Sequence, residues 1–330
     1  MTVSGVTAPV AQVELKLAPT LVSSQRFQLL TINLLRPGNL FIPNLPTQSI
    51  PLPARIEPAA LEQLELPEEL DWTQGIVLYG AAPTWLYAHL VDRCQAAPWV
   101  ACYAMTLGAA VVVKSSVNWL QVGDTIPFPT RKTPGLAIVV GGPPNSGKSV
   151  FSNALRWSLA RQASQFQVYL HRANWDGEGN WSYETVDRGL VEVLVERGKY
   201  KIHQLPNADQ LLTDYFSYHA QAVKAIRQIA DLVIVDVGGM PQATKMPVIE
   251  ACTHYIVISS KSEEIQKWHD LFAPHLQPLV VIHSKLEDCY DQRTETRFLE
   301  IEAGRWQEGE TYEVPQSIIE VINKLLTDLN

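Results

Sequence analysis

Gly142-Pro143-Pro144-Asn145-Ser146-Gly147-Lys148-Ser149 is the stretch that decides the fold. It fits G-x-x-x-x-G-K-[ST], a loop that cradles phosphates. Directly before it, Leu136-Ala137-Ile138-Val139-Val140 is an apolar run of strand length. Directly after it, residues 150–161 carry Phe151, Leu155 and Leu159 at helical spacing. Strand, loop and helix in that order supply the chemistry. Glycines let the backbone come close to phosphate oxygens, and amides at the helix start point at the anion. Lys148 reaches the outer phosphates and Ser149 offers its hydroxyl to Mg²⁺. The loop predicts a site for a nucleoside triphosphate such as ATP, with Gly142, Asn145, Ser146, Gly147, Lys148 and Ser149 as binding residues.

Downstream, apolar strands alternate with helical patterns. Strands are expected at 166–171, 232–236, 255–258 and 279–282, with helices at 190–197, 208–229, 263–272 and 317–329. Residues 297–302 read as an added edge strand. Continuous apolar strands separated by helices imply a mainly parallel sheet covered on both faces, an α/β architecture. Asp236 closes the run Leu232-Val233-Ile234-Val235. A carboxylate at the carboxyl end of a buried strand suits Mg²⁺ binding in such a site, so Asp236 is both the metal candidate beside Ser149 and the catalytic candidate of this half. Gly238-Gly239 can bring backbone near a γ-phosphate. In Trp175-Asp176-Gly177-Glu178-Gly179, Asp176 and Glu178 could face the nucleotide, a second substrate or the metal, or could form an exposed turn. Arg172 is either a phosphate contact or surface. His171, His254 and His283, on or beside apolar strands, read as structural histidines.

Upstream lies a separate unit. Residues 128–135, rich in proline and polar side chains, form a linker, which divides the chain into 1–127 and 136–330. Phe27-Gln28-Leu29-Leu30-Thr31-Ile32-Asn33-Leu34-Leu35 is the first expected strand, and residues 1–25 show no clear periodicity. Further strands are expected at 75–80, 99–103 and 109–113, with helices at 57–64 and 84–95. His89, Asp92 and Arg93 share one face of the latter helix.

Composition narrows the partners. The 330 residues are 46% hydrophobic and carry a net charge of −8. Before Pro127 there are 6 basic and 9 acidic residues; from Pro127 on, 20 and 25. Neither half is basic, which argues against duplex DNA as a partner. No apolar run reaches the ~20 residues of a membrane span. The N-terminus lacks a secretory pattern, so a cytoplasmic location is expected. The cysteines, Cys94, Cys102, Cys252 and Cys289, form no C-x-x-C pair, and the eight histidines show no H-x-x-x-H spacing. A third possibility for the second half is a P-loop kinase using Asp176 and Glu178 at its acceptor.

Gly75-Ile76-Val77-Leu78-Tyr79-Gly80-Ala81-Ala82-Pro83-Thr84-Trp85-Leu86, together with Pro98-Trp99-Val100-Ala101 and Leu107-Gly108-Ala109-Ala110-Val111-Val112-Val113, resembles a ring-nuclease family of CRISPR type III systems. The resemblance runs from about Phe27 to Phe128. It implies a small α/β domain that binds cyclic tetra-adenylate between subunits and opens the ring, with Mn²⁺-dependent deadenylation in short members. Long members add an AAA-like P-loop domain. Asp176-Gly177-Glu178-Gly179-Asn180-Trp181, Val235-Asp236-Val237-Gly238-Gly239 and Ala251-Cys252-Thr253-His254 resemble that long form. The implied partners are cyclic oligoadenylate or short RNA and further copies of the chain, and the implied cofactors are ATP, Mg²⁺ and Mn²⁺.

This sequence departs from the short members where they place histidines, here Asp92, Gln95 and Ser116, and an aspartate, here Ala104. Ala81 and Thr106 replace basic residues beside the ligand. Three readings follow: catalysis by other groups, with Gln95, Lys114 and Ser115 as candidates; binding of cyclic oligoadenylate without cleavage; or a purely assembling role.

Overall fold

The computed structural model of the protein describes residues 12–18, 27–35, 58–80, 82–127, 133–162, 166–174, 189, 192–194, 196, 205–287, 289–293, 298–304, 306 and 314–329. The chain divides into two compact units, Met1–Pro129 and Thr130–Asn330.

The first unit is built on a six-stranded mixed sheet. Its strands are β1 (Gln12–Ala18), β2 (Phe27–Leu35), β3 (Gly75–Tyr79), β4 (Trp99–Ala104), β5 (Ala109–Ser115) and β6 (Thr125–Pro127), adjacent in that order. The neighbours β2, β3 and β4 run parallel, whereas β1, β5 and β6 are antiparallel to theirs. A parallel step from β3 to β4 needs a crossover, and helix α1 (Thr84–Arg93) supplies it. Leu86 and Leu90 of α1 bury against Leu30, Ile32, Ile76, Leu78 and Val100. Each fully buried aliphatic side chain contributes roughly 1.5–3 kcal/mol.

Residues 1–25 were expected to carry no regular element, yet β1 pairs with β2 from Gln12↔Leu35 to Ala18↔Leu29. Val13, Leu15 and Leu17 pack on the core, so a two-residue period was present there. The segment 125–127, read only as the end of the unit, adds β6 at the sheet edge, where the missing N–H of Pro127 is tolerated. The expected helix at 57–64 is a 3₁₀ turn, Pro58–Gln63.

The second unit holds a seven-stranded sheet: β7 (Leu136–Gly141), β8 (Val168–Arg172), β9 (Leu232–Asp236), β10 (His254–Ser259), β11 (Gln277–Lys285), β12 (Cys289–Arg293) and β13 (Leu299–Gly304). Across the sheet the order is β12-β13-β11-β10-β7-β9-β8. All neighbours are parallel except β12 and β13. The segment expected as an edge strand, now β13, is therefore interior; β12 covers it as the antiparallel edge. The polar sequence Cys289-Tyr290-Asp291-Gln292-Arg293 concealed β12, because an exposed edge needs no apolar run.

Every residue of β7, β9 and β10 is buried, as parallel strands with helices on both faces require. Among the described residues its helices include α2 (Lys148–Gln162), α3 (Ala208–Arg227), α4 (Met246–Glu250), α5 (Ser262–Phe272) and α6 (Gln316–Leu329); of the helix expected at 190–197, residues 192–194 and 196 are helical and the others lie outside the described residues. Phe151, Leu155 and Leu159 of α2 and Ile318, Ile319, Ile322 and Leu326 of α6 fill one apolar layer. The β7 and β9 strands lie side by side in register from Leu136↔Leu232 to Val140↔Asp236. That register brings the loop after β7 and the carboxylate ending β9 to the same sheet edge, where open α/β sheets bind ligands.

Candidate phosphate site

The loop after β7 is wound tightly. Asn145 has φ 60° and Gly147 φ 83°, both left-handed. At Gly147 a side chain is barred twice, by that φ and by Trp306, whose Cβ would lie 2.4 Å from an added Cβ. Gly142 is barred by close approach: an added Cβ would sit 2.3 Å from the Ile258 carbonyl and 2.7 Å from Ser146 Oγ. The backbone is thus free to line a concave anion cradle that a side chain would fill.

The polar groups of the loop fit a phosphate. Ser146 Oγ is buried without a hydrogen-bond partner, a cost of roughly 1–3 kcal/mol that an incoming anion would remove. Lys148, 7% exposed, donates from Nζ to the Pro143 carbonyl at 3.5 Å, at the outer limit of a hydrogen bond. Ser149 Oγ donates to Asp236 Oδ2 at 2.6 Å. Two hard oxygen donors on neighbouring elements therefore meet, as Mg²⁺ demands. Asp236 is 1% exposed and also accepts from the Gly238 amide at 3.3 Å. The loop, Lys148, Ser149 and Asp236 converge; Asp176 and Glu178 lie outside the described residues.

Arg172 resolves from its two readings: its side chain is buried, and Nη2 stands 3.7 Å from Asp236 Oδ2. The strand register pairs Arg172 with Asp236 across β8 and β9. Beside it, His171 Nε2 meets His219 Nδ1 at 2.8 Å. Burial pushes both imidazoles down, His171 to about 3, with His219 adding to the effect, and His219 to about 4. His254 bonds Thr253 Oγ1 at 2.9 Å and His283 meets Glu300 at 2.6 Å. All three strand histidines thus have partners. Among the described residues no group of three or more His, Cys, Asp or Glu could hold a metal.

Two residues of this neighbourhood carried no sequence signal. Trp306 packs on Gly147 and edge-on to Phe151, with centroids 5.3 Å apart. Lys245, 1% exposed, reaches back from the segment before α4 and donates to the Met240 carbonyl at 2.6 Å.

In the first unit the candidate side chains face structural tasks. Lys114 Nζ donates to the Ala97 carbonyl, and Ser116 Oγ to the Pro98 carbonyl at 2.9 Å. Gln95 Nε2 donates to Asp92 Oδ1. Ser115 Oγ donates to the Leu120 carbonyl at 2.6 Å. Consecutive strand residues point to opposite faces, so Ser115 projects away from Lys114. The structure brings Lys114 and Ser116 to the turn between α1 and β4 and leaves Ser115 apart. Of the shared face on α1, Arg93 is anchored to the Leu64 carbonyl at 3.3 Å.

Residues 50–127 match a family described as CRISPR-associated protein (Cas_csx3). The remaining likenesses are to solved structures. A putative plasmid partition protein from Borrelia burgdorferi, bound to AMPPNP, is 11% identical over 58% of this chain and 100% of its own, with a TM-score of 0.39. The septum site-determining protein MinD of Pyrococcus horikoshii, complexed with Mg-ADP, is 13% identical over 57% of this chain and 77% of its own, at 0.34. The kinase domain of the Escherichia coli tyrosine kinase ETK is 18% identical over 46% and 68%, at 0.33. No helix among the described residues is long and apolar enough to cross a membrane.

Proposed function

We propose that this chain is a CRISPR-associated protein whose second unit binds and hydrolyses ATP, and whose first unit captures cyclic oligoadenylate under control of that nucleotide. The observation that carries the ATP reading is the convergence of Lys148, Ser149 and Asp236 around a loop with an orphaned buried hydroxyl, Ser146 Oγ. Lys148 would hold the outer phosphates and the loop amides the inner ones. Ser149 and Asp236 would hold Mg²⁺, which when bound offsets charge on the phosphates. Arg172 holds the Asp236 carboxylate in place. Asp236 is then placed to orient a water.

The family match over residues 50–127 supports a CRISPR-linked ligand for the first unit. Within that reading, capture is favoured over ring opening by the side chains themselves. Ala104 offers no carboxylate, and Lys114, Ser115 and Ser116 each bond a backbone carbonyl. Ligand-bridged association of copies belongs to the same proposal.

The test incubates the full chain with cyclic tetra-adenylate, with and without ATP, in Mg²⁺ and in Mn²⁺. ATP-dependent retention of the intact ring is expected. Linear product would restore the ring-nuclease reading, with Gln95, Lys114 and Ser115 as its candidates; no retention under any condition would remove the oligoadenylate ligand altogether.

A further inference from the structure

Beside the phosphate loop the second unit has an open-sided cavity of about 260 Å³, between the end of α2, the start of α6 and strands β12 and β13. Trp306 belongs to both places: its Cβ sits against Gly147 of the loop, and it lines the cavity. The cavity is apolar at its buried base, where Ala303 and Val314 are 1% and 4% exposed. Its rim is polar. Gln162 and Gln316, both exposed, bring two side-chain amides. Tyr290 supplies an aromatic wall, braced by the hydrogen bond between its hydroxyl and Ser317 Oγ at 2.8 Å. Cys289 adds a partly buried free thiol. An apolar base under a few polar groups is the anatomy of a small-molecule site, and the volume lies just below the roughly 300 Å³ of the smaller ligand pockets.

Two further observations say which part of a ligand fits. No lysine, arginine, aspartate or glutamate is among the described residues that line the cavity, so it suits an uncharged group and not a phosphate. Across the sheet, β9 with Asp236 lies on one side of β7, and β13 and β12 lie on the other. A triphosphate whose metal sits at Asp236 has its outer phosphates on the β9 side. Its nucleoside end is directed the other way, where Trp306 leads from the loop into the cavity.

We propose that this cavity is the base subsite of the nucleotide site and that it takes adenine. This inference rests on the ATP reading above. An aromatic wall stacks on a planar base. A side-chain amide carries a donor and an acceptor in one plane, which matches the N6 amine and N7 of adenine. Guanine presents two acceptors, O6 and N7, at the same edge and leaves the amide oxygen facing an acceptor. Gln162 and Gln316 are therefore the residues that select the base.

Calorimetry on the full chain with ATP, GTP and inorganic tripolyphosphate, each with Mg²⁺, is the test, because tripolyphosphate reports the loop alone. The parent is expected to bind ATP at least about tenfold more tightly than either of the others. Cys289→Trp places a bulky ring in the cavity from the edge strand. It should bring ATP affinity down to that of tripolyphosphate and leave tripolyphosphate unmoved. Gln162→Ala with Gln316→Ala, two exposed positions, should close the gap between ATP and GTP to within about twofold. Unchanged ATP binding in Cys289→Trp, or equal loss for ATP and tripolyphosphate, would overturn the base subsite and leave the ATP reading standing. GTP bound as tightly as ATP by the parent would overturn the adenine assignment. A parent that binds none of the three would overturn both readings. If Cys289→Trp does not fold, alkylation of Cys289 in the parent by N-ethylmaleimide decides: ATP slows it and tripolyphosphate does not, and equal rates refute the subsite.

Discussion

The two units treat their polar side chains in opposite ways. Within the phosphate loop, Ser146 Oγ has no partner and Lys148 makes one long contact, while Ser149 bonds Asp236. In the first unit Lys114, Ser115 and Ser116 are each tied to a backbone carbonyl. A buried polar group without a partner costs stability, and folded chains keep such groups where a ligand completes them. The same residue types, serine and lysine, thus stand open toward the proposed phosphate site in one unit and bond backbone carbonyls in the other.

The strongest way to break this contrast is at Asp236. Asp236→Asn retains size and an acceptor for Ser149 but removes the charge. Phosphate release from ATP is expected to fall roughly 100-fold, in the range seen when one charge-stabilising group is lost. Unchanged turnover would show that Asp236 only braces the strand end. Gly142→Ala comes next: its Cβ would press on the Ile258 carbonyl and Ser146 Oγ. ATP affinity should fall at least about tenfold, while thermal unfolding of the first unit stays in place. Equal affinity would mean that the cradle has slack.

On the other side of the comparison, Lys114→Met should lower stability by about 1–2 kcal/mol through the unpaired Ala97 carbonyl, with ATP binding unmoved. Loss of oligoadenylate handling at unchanged stability would instead make Lys114 a ligand residue and erase the contrast. The smallest effect concerns acid. His171 and His219 are neutral when folded, with values near 3 and 4 against an ordinary 6.5. Below pH 6.5 the unfolded chain binds protons that the folded chain refuses. Their contribution is therefore complete above pH 6.5 and declines as pH falls toward 4 and then 3. A double variant, His171→Phe with His219→Phe, should show a flatter melting temperature between pH 7 and 4; an unchanged slope would place the acid sensitivity elsewhere.

Which features could be read from the chain follows from how locally each is encoded. The loop, its strand and its helix are contiguous, and steric rules fix their geometry, so residues 136–162 read directly. Asp236 was legible because a buried strand ends on it. Lys245 and Trp306 were not, since each enters the site by a long-range return of the chain past elements with no motif. Strand β1 was missed because Glu14 and Lys16 alternate with its apolar residues over too few positions to stand out. The candidates Gln95, Lys114 and Ser115 came from resemblance alone, and the extension of β5 to Ser115 is what turns Ser115 away from Lys114.

Equilibrium titration of the full chain with ATP and Mg²⁺, beside Lys148→Ala, tests the central claim most directly. Saturable binding by the parent, weakened at least about 100-fold in the variant at an unchanged melting temperature, is the predicted result. Equal affinity in both proteins would contradict it, because residues 142–149 would then not be where the phosphates lie.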